Sequence, residues 1–588
     1  MFVPNDQHLQ MPMFSSITTL PQKVLNRLES SWAGTFYCEI FARTDELVFA
    51  GLYSDEPSRP NIPVNVLAGL EILKAGCGWS DEELYDHFCY DVQVRYALGY
   101  RDLSEGHFEL RTLYNFRQRV TQHMQATGEN LFESVFQHIT AEQIAAFALK
   151  TDKLRMDSTL IASNIRVMTR LQLLVEVLQR VYRMLAEPDQ QRYSVAFEPY
   201  LKGSSGQYIY HLKGEEVADH LQRIGELMDR LVEELVTAYH EVPAYRVLQR
   251  VFQEHFVVEA ASSLRPKDGQ ELSASSLQSP DDWEATYRQK RGEAHKGYVV
   301  NVTETCHPEN ELQLIVKVQT HPNNTDDAAM LAEVLPELKE RTGVEQMNTD
   351  GGYNSAGVDQ LMRALNVEQV QSAIRGRPSS AAALGLEDFH WAIEANGAPQ
   401  TVTCPGGQQT AVTGGRKENR YRAAFEAAGC AVCSFCGLCP TRPLKCTPAC
   451  VLRFRPHDVE VALRRQRTAD ARASGQNLRA AVEATVRSLK HPFGDDQVPV
   501  RGQPRVSIVM LGSAAMSNGR RIYRYLVRLA EAERAKKAEE KQSGQGQEVS
   551  GSSFCASFWG RLRIFLRPIS RLVCLFQSAP AHGARFFQ

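Results

Sequence analysis

The sequence predicts an α/β protein, a mixed sheet flanked by helices, with a helical N-terminal domain in front of it and a cysteine-rich insertion within it. Three observations lead there. Between residues 151 and 372, short runs rich in β-branched residues alternate with helix-period segments. Residues 61–150 carry helix periodicity and a helix-start signature. Seven of the 13 cysteines fall between Cys404 and Cys450.

In order along the chain, residues 1–60 read as a lead-in with a helix near Gln22–Glu29 and a turn-rich stretch at its end. Residues 61–150 form the helical domain, where Ser80-Asp-Glu-Glu is a capping pattern. Arg111, Arg117 and Arg119 there suit phosphate contacts, although a plain helical scaffold accounts for the segment equally well. The mixed sheet and its flanking helices are expected over 151–372 and 471–530. Its first strand lies at 151–160, followed by a helical hairpin inserted at 166–260 and a polar connector. Gly297–Thr305 and Glu311–Gln319 read as a β-hairpin turning at His307-Pro308. A helix follows at Asp326–Arg341, then a strand ending at Asp350, a helix at 355–365 and a strand at 367–372. Residues 373–470 interrupt the sheet as the cysteine-rich insertion. The apolar run Val506–Leu511 and a helix around Arg520–Ala535 come next. Residues 531–588 read as a disordered linker and a basic tail, which is either an amphipathic basic helix or incidental.

Three acidic residues stand where a carboxylate could do chemistry. Glu483 lies in Arg479-Ala-Ala-Val-Glu-Ala-Thr-Val-Arg-Ser-Leu-Lys490. On a helix, Arg479, Glu483 and Lys490 would fall within roughly 40° of one another, beside an apolar stripe of Leu478, Val482, Val486 and Leu489. A carboxylate flanked by cations suits a divalent metal and a phosphate together; an amphipathic helix with a solvated face is the plainer alternative. Asp157 lies in a strand-like run, where a buried acid needs a partner or a metal. Asp350 ends a short strand at a Gly-Gly turn, and Asn354-Ser355 can cap the next helix. Taken singly, each Asp is also explained as a turn or cap residue.

Asp157 in Asp-Ser-Thr, Asp350 in Asp-Gly-Gly-Tyr and Arg-x3-Glu-x6-Lys at 479–490 together resemble the DDE transposases of bacterial insertion sequences. Gly78-Trp-Ser-Asp-Glu-Glu-Leu84, Arg95-Tyr-Ala-Leu-Gly-Tyr100 and Thr112–Arg119 resemble the helical N-terminal domain of the same enzymes. The chain departs from the family at Gln476, where a Tyr is usual. The resemblance implies a ribonuclease-H-like catalytic core. It also implies that Asp157, Asp350 and Glu483 hold two Mg²⁺ (or Mn²⁺) ions, with Asp157 bridging, while Arg479 and Lys490 hold phosphates. The implied reaction is cleavage of double-stranded DNA at element ends, followed by attack of the freed 3′-hydroxyl on target DNA by a homodimer on paired ends. A non-catalytic DNA-binding repressor or decayed transposase, and a metal-dependent nuclease without strand transfer, are the alternatives.

The cysteines invite a structural Zn²⁺. Cys-x2-Cys spacing lets one turn supply two thiolates, and Cys404, Cys430, Cys433 and Cys439 resemble cysteines that recur in this transposase group. Cys436 is a spare, and a reduced cluster without metal is the alternative. A zinc would staple an insertion expected to be too short for a core of its own. Bulk composition is that of a globular protein, 43% hydrophobic and 23% charged, with a formal net charge of −3. Any DNA-facing charge must therefore be local. No stretch reaches the length of an apolar membrane span and no signal-peptide pattern opens the chain, so no membrane partner is expected. A bacterial cytoplasmic, nucleoid-associated location follows by default.

Overall fold

The computed structural model describes residues 1–10, 15–54, 56, 59–210, 212–259, 263–372, 383–394, 397–415, 417, 419–445, 447–473 and 477–542. Gln476, Cys446 and the basic tail lie outside the described residues.

The N-terminal part is helical. Helix α1 (Val64–Cys77) is buried along nearly its whole length, and the helix that follows it starts with the expected capping box between Ser80 and Glu83. The central sheet contains β1 (Lys153–Ile161), β2 (Thr286–Lys290), β3 (Glu293–Thr305), β4 (Ile315–Pro322), β5 (Gln346–Thr349) and β6 (Glu368–Gln371). Its order is β2-β3-β1-β5-β6, with β4 also on β3. The β3–β4 hairpin and the β1–β3 pair are antiparallel, whereas β1–β5 and β5–β6 are parallel. The sheet is thus mixed and flanked by helices, as expected. The β-branched run Tyr298–Val302 fills β3, which is buried throughout its second half and so sits at the centre.

Side chains alternate across β1 and divide the two faces. Leu154 and Met156 face α2 (Asp327–Thr342) and α3 (Ala356–Ala364), in a core with Leu331, Leu335, Met347 and Tyr353. On the other face lie α4 (Val482–Lys490) and α5 (Gln503–Gln542). There the N-terminal helices, Val300, Val302, Leu489 and Met510 share one continuous core. The helical domain and the sheet are therefore packed as one body on this face.

Helix α5 lies against α1 through small residues. A Cβ on Gly76 would stand 2.1 Å from Cγ of Met516, and one on Gly512 would stand 2.9 Å from Ala75 Cβ. Gly76→Val is expected to lower stability by about 1–3 kcal/mol, because the added methyls must force the two helices apart. The measurement is the urea unfolding midpoint; an unchanged midpoint would mean that the contact is not held this tightly.

Three expectations are corrected. The 166–260 segment is not a hairpin but five helices, Arg170–Met184, Glu187–Leu201, Ser205–Tyr210, Val217–Tyr239 and Pro243–His255, around their own core. Pro188 and Pro243 occupy first-turn positions and restart the chain after two of the four breaks. The cysteine-rich insertion does build a core. A six-stranded sheet (His390–Ile393, Pro399–Thr403, Gln409–Gly414, Tyr421–Glu426, Arg442–Pro443, Ala449–Phe454) buries Phe389, Val402, Phe425, Leu452 and Phe454. The alternation in Tyr421-Arg-Ala-Ala-Phe-Glu426, buried at Ala423 and Phe425, suffices for this. Finally, residues 531–542, expected as the start of the linker, belong to helix α5, which also takes in the apolar run Val506–Leu511. Among the described residues no helix is long and apolar enough to cross a membrane.

Candidate active site

Asp157 sits in β1 opposite Val302 of β3, its side chain on the face toward α4. Asp350 follows the last residue of β5 and one of its carboxylate oxygens accepts the Gly352 amide at 2.7 Å, which closes the Gly-Gly turn. Ser355 caps α3 by accepting from the Val358 amide. The parallel register places Asp157 and Asp350 level with each other: Arg155 pairs with Asn348, and each aspartate lies two residues further on.

Glu483 is in the first turn of α4. The helix begins at Val482, so Arg479 is not on it; the residue lies in the turn that leads in, after the break of the preceding helix. The expected cation–carboxylate pairing survives the shift, because the turn keeps helix-like dihedrals at Ala481. Arg479 places one guanidinium nitrogen 3.1 Å from Asp157 Oδ1 and the other 3.4 Å from Glu483 Oε1. The Asp157 and Arg479 side chains are 14% and 16% exposed, whereas Glu483 is 67% exposed, so the third acid stands at the solvent edge.

The electrostatics tie the three acids together. Burial, the largest influence, pushes the Asp157 carboxyl above its ordinary range, and the Asp350 charge adds to this against the pull of Arg479. Burial works against the Arg479 charge as well, yet Asp157, Asp350 and Glu483 together hold its pKa above the ordinary value. One guanidinium thus answers to all three carboxylates.

Lys490, at the end of α4, lies over the same face of β1. It donates to Thr159 Oγ1 at 3.3 Å and is ion-paired with Asp496. An open cleft of about 690 Å³ runs past Glu483, Arg487, Lys490 and His491.

A buried network fixes α4 to the sheet, and the sequence reading missed it. Glu304 of β3 is fully buried and accepts from Arg155 Nε at 2.6 Å, Thr485 Oγ1 at 2.7 Å and Arg521 Nη1 at 2.7 Å. Arg155 also donates to the Leu478 carbonyl at 2.8 Å. This ties the strand of Asp157, the turn of Arg479 and the helix of Glu483 to one carboxylate. An acid between Thr303 and Thr305, in the half of the strand rich in β-branched residues, was the available signal.

The structure gathers the cysteines in part. A Cβ on Gly406 would stand 2.9 Å from Cys433 Sγ and 3.6 Å from Cys404 Sγ, which places those sulfurs side by side. Burial, followed by Cys450, Cys439 and Cys404, raises the Cys430 thiol to about 11. Cys450 therefore joins the four expected residues, while Cys436 is exposed. Among the described residues, however, no group of three His, Cys, Asp or Glu is arranged to hold a metal ion. That holds for the sulfurs and for the acids, whose common neighbour is the Arg479 guanidinium. In donor type the carboxylates fit Mg²⁺, a hard cation that takes oxygen ligands. The cysteines, with an apolar core already beneath them, give no comparable reason to place zinc.

Residues 403–523 match the transposase DDE domain family. The matched segment contains Arg479, Glu483 and Lys490 and most of the cysteine-rich sheet, and it excludes Asp157 and Asp350. No curated protein and no solved structure matches the chain. The match supports a DDE transposase, as the resemblance implied.

Proposed function

We propose that this chain, a DDE transposase by the family its C-terminal segment matches, cuts DNA at the ends of the element that encodes it and joins the freed ends to target DNA. The carrying observation is that Asp157 and Glu483 meet on the Arg479 guanidinium while the parallel register sets Asp350 level with Asp157, bringing together a strand, a strand end and a helix far apart in sequence. The order of the sheet, antiparallel across β4-β3-β1 and parallel across β1-β5-β6, is compatible with the ribonuclease-H-like core that the resemblance implies.

Asp157, Asp350 and Glu483 are the residues that would hold divalent ions. Such ions, when bound, polarise a phosphodiester and lower the pKa of water at neutral pH. The remaining work belongs to the chain. Asp157 and Asp350, level on adjacent parallel strands, present carboxylate oxygens on one side of the site, and Glu483 closes it from the helix. Arg479, as a shared counter-ion, offsets part of their mutual repulsion. A phosphate entering along the cleft offers Arg479 a bidentate partner in place of the carboxylates, and offers Lys490 a competitor to Asp496. Both cations then neutralise charge that develops on the phosphoryl oxygens during in-line displacement. Double-stranded DNA is the substrate in this reading, and two copies act on paired ends.

The test uses labelled DNA spanning the borders of the encoding genomic segment, with Mg²⁺ and the full chain. Border-specific cuts followed by joining of the 3′-hydroxyl are expected. Arg479→Gln should lower the cleavage rate roughly 10²–10³-fold, the usual loss for one preorganised charge donor. Cuts without joining would make the protein a nuclease. Tight border binding with no cuts, in Mg²⁺ or Mn²⁺, would make it a non-catalytic DNA binder.

A further inference from the structure

The backbone ladder between β1 and β5 ends at Arg155 and Asn348. Asp157 and Asp350 lie beyond it, so no strand-to-strand hydrogen bond sets their separation. Behind them, on the opposite face of the sheet, a side-chain network spans the gap. Ser158, adjacent to Asp157, donates from its hydroxyl to Asp327 Oδ1 at 2.7 Å. Tyr353, three residues after Asp350, is 1% exposed and donates from its hydroxyl to Asn301 Oδ1 at 2.7 Å. Ser158 and Asn301 are directly opposed across β1 and β3, which brings the two bonds side by side. Asn301 is held in turn by donating from Nδ2 to Gln319 Oε1 at 2.8 Å. The Asp327 carboxylate lies in the first turn of α2, where the helix dipole favours a negative charge. The far end of the turn is fixed too, since Gln369 of β6 donates to the Tyr353 carbonyl at 3.2 Å.

We infer that Tyr353, Ser158 and Asp327 are positioning residues that set the distance between the Asp157 and Asp350 carboxylates from behind the sheet. The inference rests on the reading of those aspartates as divalent-ion ligands. None of the three need touch the ion or the DNA. Their hydroxyls and carboxylate join the residue after one ligand to the turn that carries the other, where the main chain does not.

The experiment is a Mn²⁺ titration of the full chain, read as the metal-induced rise in melting temperature and, separately, as border-DNA cleavage. Tyr353→Phe keeps the ring and removes the hydroxyl. It is expected to raise the Mn²⁺ midpoint about 10- to 100-fold, the usual cost of losing a group that orients a metal ligand. Cleavage should recover at saturating Mn²⁺, which a merely structural defect would not allow. Ser158→Ala, a smaller change on the other side of the network, should shift the midpoint in the same direction and carries the test should Tyr353→Phe fail to fold. A wild-type midpoint in the variants, with or without a lower melting temperature, overturns the inference alone. Absence of any Mn²⁺ response in the natural protein overturns the ligand reading, and the inference with it.

Discussion

Asp157→Ala, Asp350→Ala and Glu483→Ala are each expected to reduce strand cleavage on the order of 10³-fold or more, because residues that act as one unit fail together. Binding to border DNA should remain. The three variants differ in what else they disturb, and the structure ranks them. Asp157 is largely buried and is the shortest contact of Arg479, so its removal leaves a half-buried guanidinium with one fewer partner. Asp350 also closes its own turn through the Gly352 amide, so alanine there loosens the Gly-Gly segment. Glu483 is two-thirds exposed and, among the described residues, its side chain is held only by Arg479, so Glu483→Ala should leave the unfolding midpoint unchanged. It is the cleanest of the three tests. A Glu483→Ala protein that cleaves at the natural rate would remove the third acid from the site, and with it the unit.

The second large effect belongs to a residue that touches no substrate. Glu304→Ala should cost about 3–5 kcal/mol of stability, because Arg155 and Arg521 would keep buried charges without their common carboxylate. Cleavage should fall as well, since Thr485 is two residues from Glu483 and would lose its bond to the sheet. The two variants then have opposite signatures. Glu483→Ala loses activity at constant stability, whereas Glu304→Ala loses both. The urea midpoint and the cleavage rate, measured on the same preparations, separate them. A Glu304→Ala chain with the natural midpoint would show that the network contributes nothing net, as happens when desolvation of buried ions cancels their attraction.

How far the site was legible in the sequence follows from how local each signal is. Asp350 announces itself by a strand end, a Gly-Gly turn and a capping Ser355, all within six positions, and each appears in the structure as read. The pairing of Arg479 with Glu483 was legible from its spacing of four, although the helix itself starts later. The network around Glu304 was not legible. Its partners come from β1, α4 and α5, and nothing near residue 304 records them. The same applies to Asp327, whose value lies in a strand residue it meets only after folding. Val506–Leu511 carried no assignment in the sequence for a different reason. A short continuous apolar run fits a buried strand or a buried helix alike, and only its burial against α1 decides for the helix. In the cysteine-rich segment the spacing of the thiols drew the reading toward a metal staple, while the alternation that builds the sheet lay in the same residues.

The contact between α1 and α5 joins a helix from the first part of the chain to the last of the described helices. During synthesis, α1 emerges early, with an apolar surface that Met510, Leu511 and Met516 will cover only at the end. A product terminated in the cysteine-rich segment would possess Asp157 and Asp350, lack Glu483, and leave that surface bare. Such fragments would be marked for proteolysis by exposed apolar groups. The closure that stabilises the whole chain thereby doubles as a proofreading step on its completeness.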